Sequence, residues 1–250
     1  MANAATARQA VLRDVKDAPA VDLFWIGVAI ASTAAFAILT VLVVTGRTTV
    51  VDHSLIHALT VNASPALTAL LLGVTFTSGR LAIFVAILFA LLLYRRDGWH
   101  TPAYYSAACL SAQLINLLLK YGVHRTRPHG LSPRLTAAGG PSYPSGDVMM
   151  AVLIFWLGTL LLSRSFVSSG SRTAARAIAL LFIIATAIAR VYLGAHWPTD
   201  VVGGILAGVA CSAVWAGSAL SKGTVIDRSL RRDTLQQSSQ KQLDASEPAL

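Results

Sequence analysis

The sequence predicts an all-α, polytopic membrane bundle of six transmembrane helices. Three observations carry that expectation. Of the 250 residues, 55% are hydrophobic and only 12% charged, against about 25% charged in ordinary soluble domains. The apolar residues fall in blocks of roughly 20, the helix length that crosses a hydrocarbon core about 30 Å thick. The blocks are continuous rather than alternating, which selects helices over a closed barrel, the other structure that satisfies its own backbone in lipid. This composition excludes a disordered chain, a nucleic-acid tail protein and most soluble enzymes.

Residues 1–20 are polar and read as a cytoplasmic tail. The first span, 21–44, is too long for a signal-peptide core and lacks a cleavage site, so it is a retained anchor. Residues 45–77 are interrupted by Asp52, His53, His57, Asn62 and Pro65 and read as an interfacial or re-entrant helical segment. Five further spans follow at 78–94, 101–121, 147–163, 174–193 and 199–220, so the membrane domain covers 21–220. The polar stretch 221–250 reads as a disordered cytoplasmic tail. Cys109 and Cys211 sit in apolar segments without metal-like spacing and read as small buried hydrophobes.

The formal charge is +9, but the basic residues are scattered, so no nucleic-acid partner is expected. With the N-terminus inside, thirteen Lys and Arg lie on the cytoplasmic side and seven on the other. The positive-inside rule then places both termini in the cytoplasm. Short loops point to a plasma (inner) membrane. The minority charges carry the interest: Lys120, Arg127 and Arg190 lie at the outer ends of spans three and five. Ionisable residues at membrane depth are costly, and their default reading is functional.

Three stretches share that outer face. They are Lys120-Tyr-Gly-Val-His-Arg-Thr-Arg127-Pro128, Pro141-Ser-Tyr-Pro-Ser145-Gly146-Asp147 and Arg190-Val-Tyr-Leu-Gly-Ala-His196-Trp-Pro-Thr-Asp200. Each loop follows an odd-numbered span, so all three emerge on one side. Lysine, six residues, Arg-Pro, then Pro-Ser-Gly, then Arg, five residues, His, three residues, Asp resembles the type-2 phosphatidic acid phosphatase superfamily, which also contains the vanadium haloperoxidases. The resemblance covers spans three to six. It implies that family's helical core and hydrolysis of a lipid phosphate (phosphatidic acid, phosphatidylglycerol phosphate or prenyl diphosphate type) at the extracytoplasmic face.

The residues suit that chemistry. Phosphoryl transfer without metal needs cations around the equatorial oxygens, an in-line nucleophile and a proton for the leaving oxygen. Lys120, Arg127 and Arg190 supply cations, although snorkelling would also place them there. Ser145 and Gly146 open span four, where backbone N–H groups bind anions or a plain N-cap forms. His196 is the nucleophile candidate, and Asp200, four residues on, is placed to hold one ring nitrogen. The bland alternative is a packed histidine beside a capping aspartate. By resemblance, His196 becomes a phosphohistidine.

The family usually carries His after Pro-Ser-Gly, with leaving-group protonation as its implied task; this chain has Asp147. Three readings stay open. Asp147 is itself the acid, or His124 or His129 takes the proton, or the chain binds or transports lipid phosphates with little hydrolysis. Transfer to another lipid acceptor is a further enzymatic alternative. His53 and His57 stand at i, i+4, but Asp52 is the sole nearby carboxylate and no third ligand is evident. No metal or other cofactor is expected. Gln113 and Asn116 read as interhelical hydrogen-bonding groups, Gly203, Gly204 and Gly208 as close packing, and loop 129–143 as a lid or connector.

Overall fold

The computed structural model describes residues 2–61, 63–79, 81–128, 139–163 and 168–218, with side chains described from residue 23 onward. The chain divides into two units, Met1–Ile26 with Gly217–Leu250, and Gly27–Ala216. The second unit contains every residue of the candidate site. The expected C-terminal tail and His129 lie outside the described residues.

The described residues are helical, without strands. In order they form α1 (Ala2–Val44), α2 (Thr49–Thr60), α3 (Pro65–Ser78), α4 (Ala82–Asp97) and α5 (His100–Val123). Then come α6 (Gly146–Leu162), α7 (Ser169–Tyr192) and α8 (Pro198–Ser218). Local chemistry sets several boundaries. Ser64 Oγ accepts from Leu67 N at 3.2 Å ahead of Pro65, a capped start with proline in the first turn. Ser168 Oγ accepts from Ser171 N at 3.1 Å to open α7. Gly98 ends α4 at a φ of 70°, and His124 ends α5 at a φ of 52°.

Among the described residues, the expected spans fall mainly on α1 and α4 to α8, with Ser78 of the second one ending α3 instead. Three helical stretches are long and apolar enough to cross a membrane by themselves: Leu23–Val44, Ser169–Tyr192 and Pro198–Ser218. Helix α4 has 16 residues, about 24 Å at 1.5 Å per residue and short of a hydrocarbon core. Helix α5 has 24 residues, but Gln113, Asn116 and Lys120 dilute its hydropathy. Helices α2 and α3, the segment expected to be interfacial or re-entrant, pass the same test only when taken together as one bent span. The helix of the first span also begins earlier than expected, at Ala2. Alanines at 2, 4, 5, 7 and 10 favour helix in that otherwise polar stretch.

Large apolar side chains such as Leu110, Leu118, Ile178 and Leu181 point outward, each more than half exposed. That is the expected polarity for helices solvated by lipid. The interior is built around α6, whose Val148, Met149, Leu153, Ile154 and Leu157 are buried. Its middle, Val152–Leu157, is a π-helical turn. Helix α8 packs on the start of α6 through glycine. A Cβ at Gly204 would lie 2.5 Å from the Ser145 carbonyl oxygen, a backbone atom with little freedom to retreat. Gly204→Ala should therefore cost about 1–3 kcal/mol, read as a lower thermal midpoint in detergent. Gly73→Ala is the matched control, since a Cβ there meets nothing within 4 Å.

Candidate active site

The last turn of α5, the first turn of α6, the last turn of α7 and the first turn of α8 bring the three motifs together. The Asp200 carbonyl accepts from Ser145 N at 2.9 Å, and Ser142 N donates to the Arg125 carbonyl at 2.8 Å. These backbone bonds stitch the second motif to the third and first. Gly146 lets α6 approach α5: a Cβ there would sit 2.7 Å from Asn116 Oδ1. Asn116 is buried and its amide faces the Pro144 carbonyl at 3.5 Å.

Carbonyl oxygens hold two of the expected cations in place. Lys120 Nζ donates to Pro141 O at 2.8 Å. Arg127 donates to Ala195 O at 2.6 Å and to Gly140 O at 3.0 Å. Gly139 and Pro141 carbonyls complete its fork at 3.2 and 3.3 Å. Residues 139–141 thus serve as a brace for the cations, while the rest of the expected lid, through residue 138, lies outside the described residues. Arg190 is buried and pairs with Asp147, Nη2 to Oδ2 at 3.3 Å. Its Nε is buried without a hydrogen-bond partner.

His196 is 2% exposed, in the short turn between α7 and α8. Its Nε2 lies 3.3 Å from Arg127 Nη1. A guanidinium can only donate, so Nε2 accepts and carries the lone pair, leaving the proton on Nδ1. Nδ1 faces Asp200 Oδ2 at 3.5 Å, longer than a good hydrogen bond. Burial pushes the His196 imidazole below its ordinary value of 6.5 against the pull of Asp200, with Arg127 and Lys120 adding to the downward shift. The ring is consequently neutral at pH 7, the form that can attack phosphorus. Because an unfolded chain binds the proton first, this group removes stability as pH falls below 6.5. Imidazole NMR of the protein in micelles should show His196 still neutral as pH passes down through 6.5.

Lys120, Arg127, Gly146, Asp147 and His196 line one cleft of about 660 Å³. Its far end is apolar, walled by Ile83 and Ile87 of α4, Leu110 of α5 and Ile154 of α6. Arg190 stands at the cleft wall, 3.2 Å from where a Gly79 Cβ would be. Asp200 lies behind His196, fully buried. Ser145 is also fully buried, with its Oγ unpartnered and outside the cleft lining. His124 sits exposed at the end of α5 and does not line the cleft. His53 stacks on Trp197 at 5.0 Å, and no group of three metal-ligating side chains exists among the described residues.

Two further polar residues converge here that the motif reading passed over. Arg125 donates to Asp200 Oδ1 and to Asp52 Oδ2, both at 2.6 Å. Asp52 also accepts from the Thr199 backbone N–H at 2.9 Å and hydroxyl at 2.8 Å. The available signal was scarcity: Asp52 is an acid in a mostly apolar segment, where ionisable groups need partners.

The PAP2 superfamily model matches residues 101–220. That match runs from α5 into α8. The fold of the chain is shared with two solved structures. The chain is similar to the transmembrane PAP2-type phosphatidylglycerolphosphate phosphatase from Bacillus subtilis, with a TM-score of 0.71 at 23% identity over 76% of this chain and 95% of that one. It is also similar to LpxE from Aquifex aeolicus, with a TM-score of 0.54 at 22% identity over 65% of this chain and 93% of that one. No curated protein matches the sequence. The PAP2 region contains all three motifs; α2, with Asp52, lies outside it.

Proposed function

We propose that this chain is a multi-pass membrane lipid phosphatase that hydrolyses a lipid phosphomonoester or diphosphate through a phosphohistidine. One observation carries the reading: the cluster of Lys120, Arg127 and His196 opens directly into an apolar cleft between α4 and α5. A molecule that fills both ends has an anionic head and a hydrocarbon tail. Lys120, Arg127, Arg190 and the N–H of Gly146 hold the phosphoryl oxygens, while the Ser145 N–H, bonded to the Asp200 carbonyl, fixes the start of that helix. His196 Nε2 attacks phosphorus as the ester or anhydride bond breaks, and Asp200 stabilises the charge that develops on the ring. Asp147 gives the leaving oxygen its proton. Water then cleaves the phosphorus–nitrogen bond, releasing inorganic phosphate and the free imidazole.

The test is phosphate release by the purified protein in detergent with EDTA present, against phosphatidic acid, phosphatidylglycerol phosphate and prenyl diphosphates. Turnover of at least one without added metal is expected. Asp147 pairing with Arg190 favours a second reading, a lipid-phosphate binder or carrier, because the carboxylate occupies one phosphate-binding cation. Saturable binding with no release from pH 4 to 9 on the same panel would select it. The extracytoplasmic placement of the site in a plasma (inner) membrane follows the charge count, and labelling of engineered cysteines at the loop and the termini checks it.

A further inference from the structure

A guanidinium between two carboxylates lies directly behind the imidazole. Arg125 Nη1 meets Asp200 and Nη2 meets Asp52, with side-chain exposures of 15%, 0% and 1% for Arg125, Asp200 and Asp52. Asp52 is bound on every side. Its Oδ2 takes the second arginine bond and the Thr199 hydroxyl, while Oδ1 takes the Thr199 N–H. Thr199 is the second residue of α8, so Asp52 also satisfies one of the backbone donors left open at that helix start. Asp200 meanwhile accepts from Trp197 N at 2.9 Å, across the same first turn. A carboxylate from α2 therefore fixes both the turn that carries Asp200 and the cation bonded to it.

We infer that Asp52 is a positioning residue for the His196–Asp200 pair: it shares the Arg125 charge and so leaves Asp200 free to act on the imidazole. The argument is one of charge. Arg125 alone against Asp200 would make a neutral pair, a weak partner for an imidazole becoming positive. With Asp52 present, the three groups sum to one negative charge behind Nδ1. Burial makes this matter, since low local dielectric strengthens each interaction and leaves no water to substitute for a missing partner. Asp52 lies outside the matched PAP2 region, and the inference rests on the phosphatase reading only for its kinetic consequence.

The other charged or titratable groups around this site stay unchanged in the test. They are His53 from α2, Lys120 from α5, Arg127 after it, Asp147 from α6 and Arg190 from α7. Imidazole NMR reads the His196 titration in the whole 250-residue chain, and lipid-phosphate kinetics read kcat and KM. Asp52→Asn removes the net negative charge behind Nδ1 and leaves a neutral Arg125–Asp200 pair, so the His196 titration moves to lower pH. Its kcat drops roughly tenfold to a hundredfold, with KM held within about threefold because no phosphate-contacting group has changed. Arg125→Gln leaves excess negative charge and moves the titration up. The charge-balanced double substitution Asp52→Asn with Arg125→Gln returns it towards the wild-type value even though the network is gone, and that variant covers the case in which a single change fails to fold. Asp52→Asn with an unmoved titration would overturn the inference, whatever its effect on thermal stability. Absence of turnover in the wild type would instead sink the phosphatase reading and leave the titration test standing.

Discussion

Alanine in place of His196 should reduce lipid-phosphate turnover by roughly four orders of magnitude or more, with lipid-phosphate affinity changed little. The expectation follows from the ring's surroundings. Nε2 faces Arg127 at 3.3 Å and lines the cleft with Lys120 and Arg127, where a phosphoryl group would be held by cations. In the proposed mechanism the neutral ring is the nucleophile, and His196 is the one imidazole among the described residues of the cleft lining. Asp147 is paired with Arg190, Cys109 lies towards the apolar end, and Lys120 donates to a carbonyl. The substitution leaves these cations in place, so a lipid phosphate still binds. Single-turnover mixing of wild-type protein with substrate, quenched in alkali, should trap a phosphorylated His196 by mass spectrometry; His196→Ala should trap none. Retention of full turnover by the alanine variant would show that water, and not the ring, attacks.

Much of this site was legible in the sequence because a membrane makes polar residues conspicuous. Lys120, Arg127, Arg190, His196 and Asp200 stand out from apolar runs, and the parity of the spans requires their loops to share a face. The structure brings Lys120, Arg127 and His196 to one cleft and sets Asp200 behind the ring, as that argument expects. What spacing alone does not encode is which polar partners meet. Arg125 read as one more basic residue of the first motif, yet its fork turns away from the phosphate region towards Asp52 and Asp200. Asp52 read as an interruption of a poorly spanning segment, because its partners lie 73 and 147 residues away. Ser145 shows the reverse. Its position at the start of α6 suggested a phosphate ligand, but close packing against Gly204 buries it outside the cleft lining, and its N–H is bonded to the Asp200 carbonyl.

The fold divides in the same way. Helix positions follow from composition and from starts such as Ser64-Pro65 and Ser168, which are local features. The number of helices able to cross alone does not, because α4 and α5 depend on neighbours. Helix α4 is short, and α5 carries a polar face whose Asn116 and Lys120 meet protein groups at Pro144 and Pro141. Such helices are membrane-compatible only as parts of a bundle, where packed partners rather than lipid meet their polar groups.

Asp147→Asn should lower turnover of a lipid phosphomonoester by roughly a hundredfold to ten-thousandfold while leaving an activated aryl phosphate within a few-fold of wild type. An alkoxide departs poorly without a proton, whereas a phenolate with electron-withdrawing groups needs none. The Asp147–Arg190 pair suggests how an aspartate would serve where the superfamily that the motifs resemble usually has histidine. At rest its Oδ2 is paired with Arg190 Nη2 at 3.3 Å, and its side chain is 35% exposed at the cleft. An incoming phosphate competes for the same guanidinium. Once Arg190 turns its donors to phosphate, the carboxyl group is released from its partner and free to meet the leaving oxygen. Substrate binding would thus both load the arginine and arm the acid. A lipid diphosphate should be spared like the aryl phosphate, since its leaving group is itself a stable phosphate anion. Asp147→His tests the same step from the other side: it removes the carboxylate from Arg190 and supplies an imidazole acid, so monoester turnover should survive. If Asp147→Asn slows the aryl and alkyl substrates equally, the carboxylate acts on Arg190 alone and the proton comes from elsewhere.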